Sequence, residues 1–582
     1  MWPRSDALCA ALLTGFVAAC GGDPSGPDPG PNLNCGLVQP TSLSPGQFSI
    51  TDPTGQGACV IVPSVPGAGA SGAEHLYLVV STAGQEVNGG ITAPYSISAS
   101  TAAATASQAE LPLALLSAFR PRATSVQFHR MLRERERLLA TDPARMFEAR
   151  EARTAPSFAA APALNDPEDF FVCADTNCDS FTTVNSRVRA LGDKVAIYVD
   201  DVVYSDPKYS APNARYSDAE LSDIARVFDD YLYPIDTLNF GRESDIDANG
   251  VVQVLLTPKI NALSANCNTT GSVILGYFFA LDLLADPNSN GGEVFYSIVP
   301  DPLNSQCTIN KDSFAKPNLA ATFVHEFQHM ISYNQHAILR PGTSEDTWLN
   351  EGLSHYAEEL AGRIVPDTAG QPAGTTYTQF SLSNYLNAYE YLSNVEGNFL
   401  VSPANTGGSL EERGAGWLFV RWAADQFGTG ADNLPQFRVR GTTFTQALVQ
   451  TSQLGATNVQ SVAGESFSQL VPQWQMANYL DDLPGFTPSS DRLRYITINL
   501  RNQFNQLHNQ RPSDFPEPYP LRPDSTRTGV YSRSGTLRQG SGRHVRIIQS
   551  AGALSVQLLL TNGTGGGVSA TAVPRVGLVR VR

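Results

Sequence analysis

One short segment constrains this chain more than any other part of its sequence. His325 and His329 flank Glu326 in the pattern His-Glu-x-x-His, and Glu351 follows within the segment Trp-Leu-Asn-Glu-Gly. On a helix, residues i and i+4 lie about 40° apart around the axis and about 6 Å along it, so both imidazoles can reach one metal ion. Glu326 then lies beside the metal, where a carboxylate can take a proton from metal-bound water. The pattern predicts zinc ligands at His325 and His329 and a general base at Glu326.

Both segments have the apolar spacing of helices. Apolar residues recur three and four positions apart from Leu319 to Ile331 and again from Trp348 to Leu360. A loop around Pro341 would make the two helices antiparallel neighbours. Glu351 can then face the histidine pair as a third zinc ligand, which leaves the fourth position for water.

The residues HEFQHMI, followed by TWLNEGLSHYAEE, resemble the hyicolysin-like metallopeptidases. More broadly they are similar to the gluzincins, which include thermolysin and the aminopeptidase N group, and in the latter a WLNEG segment carries the third ligand. The resemblance covers about residues 166–500, and its specific part is confined to residues 321–360. It implies the same three zinc ligands and the same general base.

One position departs from that resemblance. Thermolysin-like enzymes place an aspartate four residues after the glutamate ligand, where it orients a zinc histidine, and here His355 stands at that position. Glu358 and Glu359 are the candidates that remain for this orienting role. The residue that holds a ligand histidine in place is therefore unassigned.

The resemblance also concerns substrate binding. In the gluzincins an edge strand of the catalytic sheet binds the substrate backbone in extended form, and we expect that mode here, since strand addition reads the main chain and leaves side chains to pockets. Gluzincins stabilise the oxyanion with a tyrosine or a histidine. Tyr385, Tyr389 and Tyr391 are available, but no motif selects one of them, so this role has no assigned residue.

The wider pattern predicts an α+β fold, in which a zincin-type catalytic domain with a mixed sheet and active-site helices is flanked by small N- and C-terminal β-domains. Strand-like runs at 194–200, 251–256 and 295–299 precede the zinc helix. Short β-type runs and Gly-rich turns recur near both ends of the chain. The predicted boundaries are a β-domain at 35–105, an Arg-rich helical linker or pro-segment at 106–165, a zinc metallopeptidase domain at 166–510 and a C-terminal β-module at 520–582.

The charge of the chain is acidic overall but basic over one segment. A formal net charge of −16 argues against a nucleic-acid partner, which would require a basic surface. Residues 118–153 nevertheless contain nine arginines in a helical stretch. A solvated helix explains them most simply, and an interdomain linker or a removable pro-segment that basic-specific proteases can cut are the alternatives.

The first residues resemble the signal of a bacterial lipoprotein. Arg4 precedes a short uncharged run that ends Val17-Ala18-Ala19-Cys20 and is too short to span a membrane. The resemblance predicts a signal peptide at 1–19, acylation of Cys20 and a flexible tether at 20–34. It places the protein in the bacterial cell envelope, anchored to the membrane by lipid. An ordinary cleaved signal, and hence a secreted protein, is the alternative.

Six cysteines remain when Cys9 of the predicted signal peptide and Cys20 are set aside. An even number is expected for disulfides in an exported protein. Sequence alone does not choose among the possible pairings. We expect sequential pairing, because each pair then stays within one apparent module. The predicted pairs are Cys35 with Cys59, Cys173 with Cys178, and Cys267 with Cys307.

Asp245, Asp247 and Asn249, followed by Gly250, resemble the opening of a calcium loop, in which oxygen ligands alternate along the chain. Leu256 stands where such a loop has its glutamate. An Asx-rich turn before a strand accounts for the same residues without a metal. Calcium is therefore one of two interpretations of this segment.

Together these features predict an exported zinc endopeptidase that acts on polypeptides, with Glu326 as the base. Two alternatives from other classes stay open. One is a catalytically inactive cell-surface binding or adhesion protein on the same fold, which zinc content would distinguish. The other is a zinc hydrolase of a non-peptide substrate, which activity on unfolded protein would distinguish.

Overall fold

The computed structural model describes residues 35–54, 58–67, 69–101, 124–154, 160–264, 266–369, 371–433 and 436–582. The predicted signal peptide, the tether and Cys20 lie outside these described residues. The fold is α+β, as predicted. Within the described ranges, no helix is both long enough and apolar enough to cross a bilayer.

Strands and helices are numbered along the chain. The strands are β1 Phe48–Thr51, β2 Cys59–Val62, β3 Ala73–Ser81, β4 Thr92–Thr101, β5 Pro167–Cys173, β6 Phe181–Leu191, β7 Val195–Asp200, β8 Val252–Leu256, β9 Gly276–Phe278, β10 Val294–Ser297, β11 Asp524–Thr526, β12 Tyr531–Arg538, β13 Gly542–Gln549, β14 Val556–Thr561 and β15 Pro574–Arg580. The helices are α1 Thr124–Ala140, α2 Pro143–Thr154, α3 Val202–Ser205, α4 Asp218–Val227, α5 Tyr233–Asn239, α6 Pro258–Ala262, α7 Cys267–Thr270, α8 Lys316–Tyr333, α9 Thr347–Ile364, α10 Thr375–Ser393, α11 Leu410–Phe427, α12 Thr442–Val449, α13 Gly455–Ala463, α14 Phe467–Leu480 and α15 Leu500–Gln510.

A mixed sheet supports the helix that carries the His-Glu-x-x-His pattern. Its strand order is β5-β6-β7-β8-β10-β9, in which β7, β8 and β10 are parallel and the other pairs are antiparallel. Helix α8 packs on this sheet, with the ring of Phe323 5.0 Å from that of Phe295. Gly276 allows the edge strand β9 to approach α8, because a Cβ atom there would lie 2.7 Å from Thr322. The sheet thus presents its β9 edge next to the pattern.

Strands from both ends of the chain form a single β-sandwich. One sheet has the order β1-β15-β3-β13-β11 and the other the order β12-β4-β14-β2. Buried residues such as Tyr77, Ile97 and Leu558 fill the space between the two sheets. This pairing corrects the prediction of separate β-domains at 35–105 and 520–582. Strands from one end alone would leave unpaired edges, and strands from the other end cover them.

The predicted disulfide pairing is confirmed. The structure joins Cys35 to Cys59, Cys173 to Cys178, and Cys267 to Cys307. These links lie within the β-sandwich, after β5 and at the start of α7, respectively. Each one therefore closes a local loop and does not connect distant parts of the fold.

The described part of the Arg-rich segment consists of α1 and α2, which pack on the rest of the protein. Phe128 and Leu132 of α1 belong to the main hydrophobic core. Arg133, the residue after Leu132, is 2% exposed. One face of α1 is therefore buried, and its arginines are not all in solvent.

Candidate metal centre

Helices α8 and α9 bring the three predicted ligands together. The Nε2 atoms of His325 and His329 lie 3.1 Å apart. Glu351 faces them from α9, with carboxylate oxygens 3.6 Å from His325 Nε2 and 3.9 Å from His329 Nε2. Donor atoms arranged tetrahedrally at about 2.0–2.1 Å from one ion stand about 3.4 Å apart. The spacing of these three side chains therefore suits a single ion of that size.

The carboxylate of Glu351 gives the strongest sign that a cation belongs here. Glu351 is 1% exposed, and neither of its oxygens makes a hydrogen bond. Arg413 of α11 lies beside it, with Nη1 3.0 Å from Oε2. Burial opposes ionisation, but Arg413 and the two histidines hold the pKa of Glu351 well below its usual value. Arg413 pairs with one oxygen of this carboxylate, and the carboxylate together with the two imidazoles forms a donor set that fits a metal ion.

Outer contacts fix the orientation of both imidazoles. Glu358 Oε1 lies 2.7 Å from His325 Nδ1, and Asn350 Oδ1 lies 3.1 Å from His329 Nδ1. A proton donated from Nδ1 leaves the lone pair of Nε2 available for a metal ion. Of the two glutamates considered for this role, Glu358 lies in position to fill it. Glu359 instead pairs with side chains of α11.

The charge of this cluster depends on one proton. Burial lowers the pKa of His325, but the carboxylates of Glu351 and Glu358 outweigh burial and raise this pKa to about 10. Burial and the nearby Arg133 hold the pKa of His329 well below its usual value. A divalent ion binds neutral imidazoles, so its entry would displace the proton of His325.

Glu326 connects the ligand helix to the edge strand. It is 2% exposed, and its Oε2 accepts a hydrogen bond of 2.8 Å from the backbone N–H of Phe278, the last residue of β9. Burial raises the pKa of Glu326. A raised pKa brings a carboxylate closer to the range in which it works well as a general base.

A second group of metal-binding side chains shares His325. Donor atoms of His325, His355 and Glu358 lie within 4.8 Å of one another. His355 Nδ1 is 3.2 Å from Glu358 Oε1. Because Glu358 already accepts from His325 Nδ1, this group supports the first site by orienting one of its ligands.

The tyrosines available as oxyanion donors have partners elsewhere. Tyr385 shares a hydrogen bond with another tyrosine of α10, and Tyr389 accepts one from the backbone beyond α15. Tyr391 accepts a hydrogen bond from a glutamine of α14. The structure brings none of these three tyrosines to the metal ligands through a hydrogen bond.

Sequence reasoning missed Arg413, which lies far along the chain from the ligand pattern. Helix α11 comes close enough to place it because Gly352 and Gly416 face each other. A Cβ atom on Gly352 would lie 2.9 Å from the carbonyl oxygen of Gly416. The signal available in the sequence was Gly352 itself, since a glycine inside a helix is often kept for close packing.

The predicted calcium ligands lie on the turn before β8. Oxygens of Asp245, Asp247 and Glu293 lie within 4.8 Å of one another. Glu293 was not predicted; it is 1% exposed, and one of its oxygens makes no hydrogen bond. Burial, followed by the neighbouring aspartates, raises the pKa of Glu293 to about 7. Asn249 lies beside this group, and its Nδ2 donates to Asp247 Oδ2 at 2.6 Å.

The chain is 26% identical over 261 residues to the neutral metalloprotease ShpI of Staphylococcus hyicus. The aligned part covers 43% of this chain and 52% of that protein, so this chain spans about half the length of the curated relative it matches. No protein-family model matches the chain.

Proposed function

We propose that this protein is an exported zinc endopeptidase that hydrolyses peptide bonds in polypeptides. The observation that carries the proposal is the convergence of His325, His329 and Glu351 on one point, with Glu326 next to them. Two imidazoles and one carboxylate are typical of catalytic zinc sites, which keep a fourth position open. The similarity to a neutral metalloprotease supports the same assignment.

The residues of the site divide the chemistry between them. A zinc ion held there would polarise the peptide carbonyl and lower the pKa of a water molecule. Glu326 accepts a proton from the attacking water, whose oxygen adds to the carbonyl carbon. Glu326 then returns the proton to the nitrogen as the C–N bond breaks. The backbone N–H of Phe278 holds one oxygen of Glu326 in place during these steps.

The edge strand β9 offers a binding surface for the substrate main chain. Its last residue, Phe278, contacts the general base, so a peptide paired with β9 would pass beside Glu326. Pairing with a sheet edge reads the main chain of an extended peptide and leaves its side chains to neighbouring pockets. This mode fits a protease that accepts many polypeptide sequences.

The orienting contacts of the two histidines give a prediction about zinc affinity. Asn350→Ala and Glu358→Gln should each weaken zinc binding about 10- to 100-fold. Each change removes or weakens the hydrogen bond to Nδ1 of one histidine, which frees that imidazole to rotate and change tautomer. Competition with a chelator of known zinc affinity measures the effect at fixed pH. Glu390→Gln, an exposed change on α10, is the control and should bind zinc normally. Unchanged affinity in both site variants would contradict the assigned roles.

We also propose a calcium site at Asp245, Asp247 and Glu293. Calcium at 100 times its dissociation constant should raise the free energy of unfolding by about 2.7 kcal/mol, because it binds only the folded turn. Unfolding in urea with and without calcium measures this shift. Glu293→Gln should remove it, whereas Asp193→Asn, at an exposed position, should not. A calcium shift that survives in Glu293→Gln would show that the ion binds elsewhere.

The cellular location is a separate proposal. The three disulfides support export to an oxidising compartment. The Val-Ala-Ala-Cys sequence supports acylation of Cys20 and anchoring to a bacterial membrane. Mass spectrometry of the mature N-terminus should find a lipid-modified Cys20, and Cys20→Ala should release the protein into the soluble fraction. An unmodified N-terminus at another residue would contradict the anchor.

The function itself is tested by metal analysis together with digestion of a denatured protein. The purified protein should hold one zinc per chain. The same should be true after limited proteolysis. It should cut the substrate at internal bonds, which mapping of the product ends would reveal. Chelation should abolish cleavage, and added zinc should restore it. Cleavage that persists without metal, or products cut only at chain ends, would contradict the proposal.

A further inference from the structure

The side chains of the proposed metal centre have little exposed surface in this structure. His325 is 7% exposed, and Glu326, His329 and Glu351 are each 2% exposed or less. A peptide bond must come within contact distance of these groups before it can be hydrolysed. The elements packed around the centre therefore control whether a substrate can reach it.

Helix α1 supplies side chains that cover the centre. His129, Arg133 and Glu136 recur at helical spacing on one face of α1 and are 7%, 2% and 1% exposed. Arg133 donates to the carbonyl oxygen of Phe278, and the backbone N–H of the same residue donates to Glu326. Burial, and then the charge of Arg413, hold the pKa of His129 well below its usual value. This face of α1 is therefore buried next to Phe278, the residue that contacts Glu326.

The same helix face contacts the last residue of β9 and the turn that follows it. Arg133 Nη2 donates to the carbonyl oxygen of Phe278 at 2.9 Å, and Glu136 Oε1 accepts from the backbone N–H of Ala280 at 3.1 Å. Arg133 Nη1 and Glu136 Oε2 are 3.2 Å apart, so the two side chains form a buried pair. Main-chain groups at an open strand edge are the ones that an added peptide strand would use. Arg133 occupies a main-chain acceptor at the end of β9, and Glu136 occupies a main-chain donor two residues further along the chain, where an added peptide strand would pass.

Polar contacts hold the rest of the segment in place. Arg135 and Arg150 each donate to a backbone carbonyl oxygen at 2.7 Å, and Arg145 lies 2.9 Å from Asp286. The outer surface of the two helices exposes apolar side chains, since Phe147 is 62% exposed. Hydrogen bonds and ion pairs at a partly exposed boundary can be exchanged for water at small net cost. Phe128 and Leu132 also bury apolar surface in the main core, so the segment stays docked while the chain is intact and its release requires a cut in the chain.

We propose that α1 and α2, residues 124–154, are an intramolecular inhibitor that occupies the substrate cleft and must be released before the protein acts. This inference rests on the proposed peptidase function. Release follows when another protease adds water across a peptide bond of the chain flanking the segment, which leaves a new carboxylate and a new amine. The N-terminal strands stay attached after such a cut, because β3 and β4 pair with strands near the C-terminus.

The test uses the full chain with recognition sites for a sequence-specific protease inserted on both sides of residues 124–154. After cutting and removal of the fragment, hydrolysis of a fluorogenic peptide should rise at least 50-fold. Hydrogen exchange at the amide of Ala280 should accelerate at least tenfold, because its acceptor, Glu136, has left. Adding the synthetic peptide 124–154 should restore both the inhibition and the slow exchange.

Substitutions identify the contacts responsible. In the uncut chain, replacing Arg133 and Glu136 together by alanine removes both members of the pair. Hydrolysis and exchange at Ala280 should then rise at least tenfold. The same double change in the synthetic peptide should weaken its inhibition at least tenfold. Glu134→Ala, whose side chain is 61% exposed on the same helix, is the matched control and should change neither quantity.

Several outcomes separate the two proposals. If the cut protein remains folded but loses an activity that the intact chain has, α1 is a working part of the enzyme and the inference is overturned. It is also overturned if exchange at Ala280 is unchanged both after cutting and in the double variant. A third result is that exchange at Ala280 accelerates and zinc stays bound while no form of the protein hydrolyses a peptide. That result would support the proposal that α1 blocks the cleft and would contradict the proposed peptidase activity.

Discussion

The Glu326→Gln protein should bind zinc like the native chain and hydrolyse peptides about 10²- to 10⁴-fold more slowly, or not at all. The amide of glutamine keeps the shape of Glu326 and can still accept the hydrogen bond from Phe278. It cannot accept the proton of the attacking water. Peptide hydrolysis and zinc content, measured on the same form of both proteins, give the result.

Substitutions of the three proposed zinc ligands should behave differently from Glu326→Gln. His325→Ala, His329→Ala and Glu351→Ala should lose both zinc and activity, because each leaves two protein donors where a stable site needs three. Near-normal activity in Glu326→Gln would contradict the assigned mechanism. Full zinc affinity in Glu351→Ala would indicate that the third ligand is His355 or Glu358, which form a second possible metal-binding group with His325.

The Arg421→Ala protein should lose about 3–5 kcal/mol of unfolding free energy. Arg421 of α11 lies 2.9 Å from Glu359 of α9 and 3.1 Å from Asp425, and all three side chains are 2% exposed or less. Removing the guanidinium takes the nearest counter-charge from two buried carboxylates, and only Glu359 keeps a second one, Arg363 at 3.9 Å. Because α9 also carries Glu351, zinc affinity should fall as well. Equilibrium unfolding in urea measures the loss of stability.

Arg494→Ala is the matched control for that experiment. Arg494 pairs with Asp491 at 2.6 Å, but the two side chains are 49% and 60% exposed. An exposed ion pair contributes about 0–1 kcal/mol, since water screens the charges. A loss below about 1 kcal/mol in Arg421→Ala, equal to that in Arg494→Ala, would show that the buried network does not hold α9 and α11 together.

Local periodicity predicted the two ligand helices well. The spacing of His325 and His329 required a helix, and α8 and α9 contain the two patterns as expected. Glu358, one of the two orienting residues considered, lies one turn from His355 and meets His325. These relations depend on helix geometry over short distances along the chain, which is why sequence alone could predict them.

Contacts between distant segments could not be predicted in this way. Arg413 reaches Glu351 only because two glycines let α9 and α11 approach closely. Glu86, in the loop after β3, accepts a hydrogen bond of 2.9 Å from the backbone N–H of Thr347, at the first turn of α9. The joining of both chain ends into one sandwich is a pairing of the same kind. No local pattern specifies which distant edge a strand will meet.

The arginines of residues 118–153 show how far composition can mislead. Their number favoured a solvated helix, yet Arg133 is buried against Phe278 of the edge strand. The sequence does place His129, Arg133 and Glu136 on one helix face. Without the position of β9, however, nothing indicated that this face would be covered.

The most direct test of the proposed centre is a crystal structure of the zinc-loaded protein with anomalous scattering measured at the zinc absorption edge. A single strong peak should lie about 2.0–2.2 Å from the Nε2 atoms of His325 and His329 and from a carboxylate oxygen of Glu351. A peak between His355 and Glu358, or no peak near His329 in protein that contains one zinc per chain, would contradict the assignment of this centre.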